Sequence, residues 1–246
     1  MEAQLGRRDG TRGSVVWDVL RDVLAARAAQ TGRDQLDVVD AGGGTGGFAV
    51  PLATLGHQVT VVDPSPDALA AAQRRAAEMD VRISAIQGEA AGLDSVVGEQ
   101  AADLVICHSV LEYVDSPADA LAAITRVLRP GGTVSVLASG MVASVLHRAL
   151  TGRFDEARAL LEGTGPTGDG AAPRRFTLSG LIALIESVGL TPGAAHGAEI
   201  FGGLVPSALA EADPGAAESL RALEAAAATY PALRDIAAKL HVLGQR

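Results

Sequence analysis

The run Val38-Val39-Asp40-Ala41-Gly42-Gly43-Gly44-Thr45-Gly46-Gly47 constrains this chain more than any other stretch. It joins a short apolar segment of strand character to a longer Ala-rich segment of helix character, and five glycines stand at the joint. A strand that turns so tightly into a helix is the opening unit of an α/β sheet, where backbone at the bend comes close to a ligand. A side chain at Gly42 or Gly44 would occupy the space that ligand takes. The helix end beyond the bend offers free N–H groups and a positive dipole end to an anion, either a dinucleotide pyrophosphate or a ligand carboxylate. The same glycines would also serve a tight turn with no ligand. Asp63 stands 21 positions after Gly42, at the end of the next apolar run. A carboxylate there can accept both hydroxyls of a ribose, or it can simply open the Asp63-Pro64-Ser65-Pro66 turn. Gly42, Gly44 and Gly47 also satisfy G-x-G-x-x-G, so the bend by itself leaves NAD open.

Elsewhere short apolar runs alternate with Ala-rich stretches. Strands are expected at residues 36–40, 59–63, 81–87, 102–108 and 133–138, with a closing strand at 239–243. Helices are expected at 14–30, 46–55, 66–79, 116–128, 141–161, 177–188 and 214–230, with Gly32, Gly56 and Gly189 as stops. Leu104, Val105 and Ile106 read as a strand buried on both faces. Residues 129–132, Arg-Pro-Gly-Gly, read as a turn, and the Gly- and Pro-rich residues 163–173 as a mobile loop. The alternation implies right-handed crossovers and a mainly parallel sheet. One domain is expected over 1–246: an N-terminal helical segment (1–35), a cofactor-binding core (36–138) and a substrate-selecting and C-terminal part (139–246).

Composition narrows the choice of function. The net charge is −9, from 20 basic and 29 acidic residues, where a protein gripping nucleic acid through phosphates would usually carry a basic surplus. A single cysteine, Cys107, excludes an intramolecular disulfide and fits a cytoplasmic location. No apolar run suits a membrane span or a signal peptide. The scattered histidines and one cysteine offer no metal-ligand spacing, so no metal is expected. Oligomeric state is not legible in the chain.

Beyond the bend, Asp40 completes D-x-G-x-G-x-G. Gln87-Gly88-Glu89-Ala90 follows the third strand, residues 102–114 run from Ala102-Asp103 through His108 to Val114, and Leu128-Arg129-Pro130-Gly131-Gly132 precedes the fifth. With these motifs in order over residues 36–138, the chain resembles the class I S-adenosylmethionine-dependent methyltransferases. That resemblance implies a Rossmann-like α/β fold with a mainly parallel seven-stranded sheet and helices on both faces. It implies S-adenosyl-L-methionine as cofactor, held by Asp40, Gly42, Gly43, Gly44, Gly46, Asp63, Glu89, Ala90 and His108.

Four stretches resemble the bacterial tRNA 5-carboxymethoxyuridine methyltransferases more particularly: the 40–44 bend, residues 108–113, residues 152–155 and Leu240-His241-Val242. Two positions depart from that family, which has an arginine in the segment matching residues 13–17 and another where Glu199 stands. An arginine fork suits a carboxylate acceptor, and a glutamate repels one. The reading is therefore a methyltransferase whose acceptor the sequence leaves open, with a small molecule favoured. The alternatives are a tRNA carboxyl methyltransferase, for which Arg7, Arg8, Arg12, Arg174 and Arg175 would offer phosphate contacts, and a cofactor-binding module without catalysis. A carboxylate acceptor needs no general base. A hydroxyl or amine acceptor would want one, with His108 and His147 the candidates, but neither sits in a recognisable acid–base constellation and none is assigned.

Overall fold

Residues 102–107 are all buried, as a strand covered on both faces requires, and Ala102–His108 forms β4. In the computed structural model, which describes residues 14–164, 173–206 and 214–246, β4 pairs in parallel with β1 (Asp37–Ala41), Val38 lying opposite Leu104. On its other side β1 pairs in parallel with β2 (Gln58–Asp63), and β2 with β3 (Ser84–Gln87). Seven strands follow the order β3-β2-β1-β4-β5-β7-β6, with β5 at Leu128–Ser139, β6 at Thr191–Ala198 and β7 at Lys239–Gln245. β7 runs antiparallel to β5: its end meets the start of β5, where Arg246 N donates to Gly132 O at 3.0 Å and Gly131 N to Arg246 O at 2.9 Å. The mainly parallel seven-stranded sheet is as expected.

The helices in described residues are α1 (Ser14–Thr31), α2 (Ala49–Thr54), α3 (Pro66–Glu78), α4 (Leu93–Val97), α5 (Pro117–Val127), α6 (Met141–Leu150), α7 (Phe154–Glu162), α8 (Leu178–Ser187), α9 (Pro214–Ala227) and α10 (Pro231–Arg234). Their starts follow local chemistry. Ser65 Oγ accepts from Ala68 N at 3.3 Å and Ser116 Oγ from Asp119 N at 3.2 Å, each before a proline in the first turn. None of them is long and apolar enough to cross a membrane. Residues 165–172 of the expected loop, with Arg7, Arg8 and Arg12, lie outside the described residues.

Four expectations are corrected. The helix expected at 46–55 begins only at Ala49, because Gly46 holds a left-handed φ of 77°. The helix expected at 141–161 is two helices, broken where Gly152 takes φ 77°. Residues 129–132 do not form a separate turn; they lie within β5 as an irregularity, with pairing to β4 shifting between Ala102 and Leu104. Strand β6 was not expected at all, since its Thr-Pro-Gly-Ala-Ala-His-Gly-Ala sequence is poor in β-formers.

The chain divides into two compact units. A sheet unit comprises Arg21–Ala138, Leu181–Ala194 and Val242–Arg246; a helical unit comprises the described parts of Met1–Leu20, Ser139–Gly180 and Ala195–His241.

One buried carboxylate ties the N-terminal edge of the sheet. Asp103, with its side chain fully buried, accepts from Asp37 N (3.1 Å), Arg27 Nε (3.1 Å), Arg33 Nη2 (2.5 Å) and Arg129 Nη1 (2.8 Å). Burial would push its pKa up, but the Asp37 N–H, Arg33, Arg27 and the charge of Arg129 together hold it below the ordinary carboxylate range. It thus joins α1, β1, β4 and β5, and it sits at the opposite end of the strands from the glycine bend. Replacing Asp103 by Ala leaves Arg27 without its carboxylate and Arg33 and Arg129 with Asp37 alone among the described residues, and urea denaturation should show a loss of about 3–5 kcal/mol. Because the native pKa is depressed, the stabilisation exists above the unfolded value and disappears as pH falls below about 4, so variant and wild type should converge in acid. A loss under about 1 kcal/mol at neutral pH would show that the cluster is merely a surface ion pair.

Candidate functional site

In the sheet order, chain direction across the sheet reverses between β1 and β4, and a crevice opens at the carboxyl ends of strands at such a point. The glycine bend lies there, directly after β1. Gly42, Gly44 and Gly46 have φ of 71°, 53° and 77°, values that side chains rarely tolerate. Their surroundings differ. A Cβ on Gly42 would run into the side chain of Val110, and one on Gly43 would meet the Asp40 carboxyl at 2.6 Å and Val61 at 2.9 Å. A Cβ on Gly44 would meet nothing within 4 Å. Packing therefore requires glycine at 42 and 43, and only Gly44 of these three faces open space. The short α2 begins at Ala49, and its first N–H meets the Asp40 carboxyl beneath the bend, so an anion above the bend would meet turn N–H groups.

Asp63 ends β2 beside the bend and is 9% exposed, not solvated. Its Oδ2 accepts from Gly44 N and its Oδ1 from Ser65 N, both at 2.9 Å. Each oxygen keeps lone-pair capacity for a further donor. Gly88 N donates to Asp63 O at 3.2 Å, which brings Glu89 and the buried Ala90 to the same strand end. His108, at the end of β4, lies 2.7 Å through Nε2 from Ser135 Oγ and edge-on to Phe48 at 4.6 Å between ring centroids. The sequence-expected residues are thus gathered at one edge of one unit.

Asp40 lies beneath Gly43 with a fully buried carboxyl. Its Oδ2 has no hydrogen-bond partner among the described residues. Burial, and next the charge of Asp63, push its pKa up to about 7 against the Ala49 N–H that lowers it. Cys107 is buried on β4, and burial, with smaller contributions from Glu112 and Asp40, pushes its thiol up to about 12, so it is no nucleophile.

A second feature lies wholly within the helical unit: a cavity of about 390 Å³. Its polar lining includes His147, Arg148, Arg153, Arg175, Glu199 and Lys239. Arg153 is committed to Glu156 by a two-pronged contact at 2.7 and 2.5 Å, and Arg148 approaches the same carboxylate at 3.8 Å. Lys239 Nζ donates to Ser139 Oγ at 3.1 Å. Ile200 of the wall is held by the buried Glu224 of α9, which accepts from Ile200 N (2.9 Å), Phe201 N (2.8 Å) and Gly202 N (2.8 Å). Sequence reasoning missed Glu224 and the cavity and offered Arg175 only as a phosphate contact, though it is half-buried and lines that cavity. Glu199 carried the one available signal, as a departure from a family arginine.

Residues 39–136 match the family model described as a methyltransferase domain. The tRNA 5-carboxymethoxyuridine methyltransferase of Escherichia coli (strain K12) is 34% identical over 154 residues, which are 60% of this chain and 56% of that protein. The ubiquinone biosynthesis O-methyltransferase of Xanthomonas campestris pv. campestris (strain B100) is 31% identical over 145 residues, 58% of each. The chain thus spans little more than half the length of these relatives. In fold it is similar to an S-adenosylmethionine dependent methyltransferase from Mesorhizobium loti, with a TM-score of 0.60 and 21% identity over 96% of this chain and all of that one. With its sheet order and its glycine bend at the switch point, the chain shares the fold of that methyltransferase, and residues 39–136 match the methyltransferase domain.

Proposed function

We propose that this protein transfers a methyl group from S-adenosyl-L-methionine to a small-molecule acceptor. The observation that carries the reading is the pairing of the open Gly44 bend with the Asp63 carboxylate at the crevice between β1 and β4. The site suits a nucleoside: Asp63 is fixed by two backbone donors yet retains capacity for two sugar hydroxyls. Gly43 leaves Asp40 room beneath the bend, and its orphaned oxygen suits a cationic amine. Glu89 and Ala90 stand at the strand end where the family resemblance puts the adenine, and His108 stands beside Phe48 at the end of β4.

When bound, the cofactor supplies a methyl group already activated on a sulfonium sulfur. What remains for the chain is to bind, orient and exclude water, and no residue is assigned as a general base. In this reading residues 36–138 hold the cofactor and residues 139–246 select the acceptor. A tRNA acceptor is the second reading, supported by the Escherichia coli relative's name and similarity. The net charge of −9 and Glu199 favour a small molecule. Added salt separates the two, because RNA affinity falls steeply with it.

Two outcomes test the cofactor site. Asp63→Ala should weaken S-adenosylmethionine binding in calorimetry by roughly tenfold or more, since it removes a charged hydrogen-bond acceptor; unchanged affinity, or a preference of the wild type for NAD, contradicts the assignment. Asp40 tests the electrostatics. Its native pKa of about 7 lies above the unfolded value, so the ligand-free protein loses stability as pH rises through that window. Asp40→Asn removes this penalty, and its advantage over wild type in urea denaturation should grow by roughly 3 kcal/mol between about pH 5 and pH 8. An advantage independent of pH would mean that Asp40 stays ionised throughout.

A further inference from the structure

Two opposite charges line the helical unit's cavity without meeting one another or any other charge among the described residues. Arg175 has its Nε fixed to Ser144 Oγ (3.0 Å) and its Nη1 to the carbonyls of Pro173 (2.9 Å) and Arg174 (3.0 Å), and it pairs with no carboxylate among the described residues. Three neutral acceptors therefore hold the guanidinium in place while its charge stays unmet and both Nη2 donors remain available. Glu199 is the opposite case. It stands among four cations yet its side chain bonds to none of them. Its backbone is held at φ 57°, an uncommon conformation for a residue with a side chain, by its position after β6 and by Ala238 N donating to its carbonyl. Next to it, Glu224 clamps residues 200–202, so the wall that carries Glu199 is a rigid one.

A ligand with one anionic group would satisfy Arg175 and be opposed by Glu199, and a simple amine would do the reverse. We propose that this cavity binds a small zwitterion, a molecule of amino-acid type whose carboxylate sits on Arg175 and whose ammonium sits on Glu199. Of the remaining cations, Arg153 and Arg148 share Glu156 and Lys239 donates to Ser139, so Glu199 is the one carboxylate among the described lining residues for an ammonium to meet. Leu146, Ile200, Leu204 and Ile236 supply an apolar wall for the body of such a molecule. As the class of methyl acceptor, the inference rests on the methyl-transfer reading; as a binding site, it stands on the cavity alone.

The test compares three probes sharing one apolar body on the full chain: L-phenylalanine, 3-phenylpropanoate and 2-phenylethylamine. Calorimetry or ligand-observed NMR should show phenylalanine binding about tenfold tighter than either singly charged probe. Arg175→Gln should reduce phenylalanine to the affinity of the amine, and Glu199→Gln to that of the acid. The proposal is overturned if a singly charged probe equals phenylalanine, if either folded variant keeps the wild-type ratios, or if none of the three binds. Circular dichroism checks each variant's fold; should Arg175→Gln not fold, the wild-type ratios and Glu199→Gln decide. S-adenosylmethionine titrated into the same wild-type preparation separates the failures. Binding of the cofactor without the zwitterion sinks only this inference, whereas zwitterion binding without the cofactor sinks the methyl-transfer reading.

Discussion

The hydrogen bond from Gly44 N to Asp63 Oδ2 is the contact on which the proposed site depends. It crosses from the bend after β1 to the end of β2, and its partner from Ser65 N stops the carboxylate from turning away. Gly44 takes φ 53° there, a conformation that glycine adopts at no steric cost, with its N–H on Asp63 and its far side open. The parallel register sets this up in advance: Ala41 lies opposite Val62 and Asp63 opposite Gln87, so three strands deliver their ends to one edge. A carboxylate already oriented by the fold has little entropy left to lose when it meets a sugar.

The two ends of the sheet treat buried acid in opposite ways. At one edge Asp103 is surrounded by guanidinium groups and an N–H, so its charge is met inside the protein and contributes to stability. At the other edge Asp40 is buried with one oxygen unmet and another carboxylate nearby, an arrangement that costs stability. A fold that spent both acids alike would have no unmet polar group at the crevice. The asymmetry puts the strain where a cationic ligand could relieve it. Glu199 and Arg175 repeat the pattern within the helical unit, each held by its backbone or by neutral partners and each lacking a counter-ion among the described residues.

What was legible in the sequence follows from how local each cause is. β4 was readable to the residue because Leu104, Val105 and Ile106 form a continuous apolar run at its centre. The helices opened by Ser65 and Ser116 were readable because a cap and a proline act within one turn. Motif order located the glycine bend, and spacing located Asp63. β6 was not readable: its pairing at the sheet's edge, rather than its own residues, makes it a strand. Nor was the role of Asp103, whose partners Arg27, Arg33 and Arg129 stand up to 76 positions away. The place of Arg175 in the cavity was not readable, because nothing in its neighbourhood along the chain announces Ser144, 31 residues earlier. The bend was readable in kind but not in detail, since the difference between Gly42, which meets Val110, and Gly44, which meets nothing, exists only in three dimensions.

Amide hydrogen exchange with and without S-adenosylhomocysteine tests the account most directly, because it reads the backbone of the bend itself. Ligand should slow exchange at residues 42–46 and 63–65 and at 89–90, while the Asp103 end of the sheet stays unchanged. Equal exchange in both states, or protection confined to segments away from the β1–β4 crevice, would contradict it.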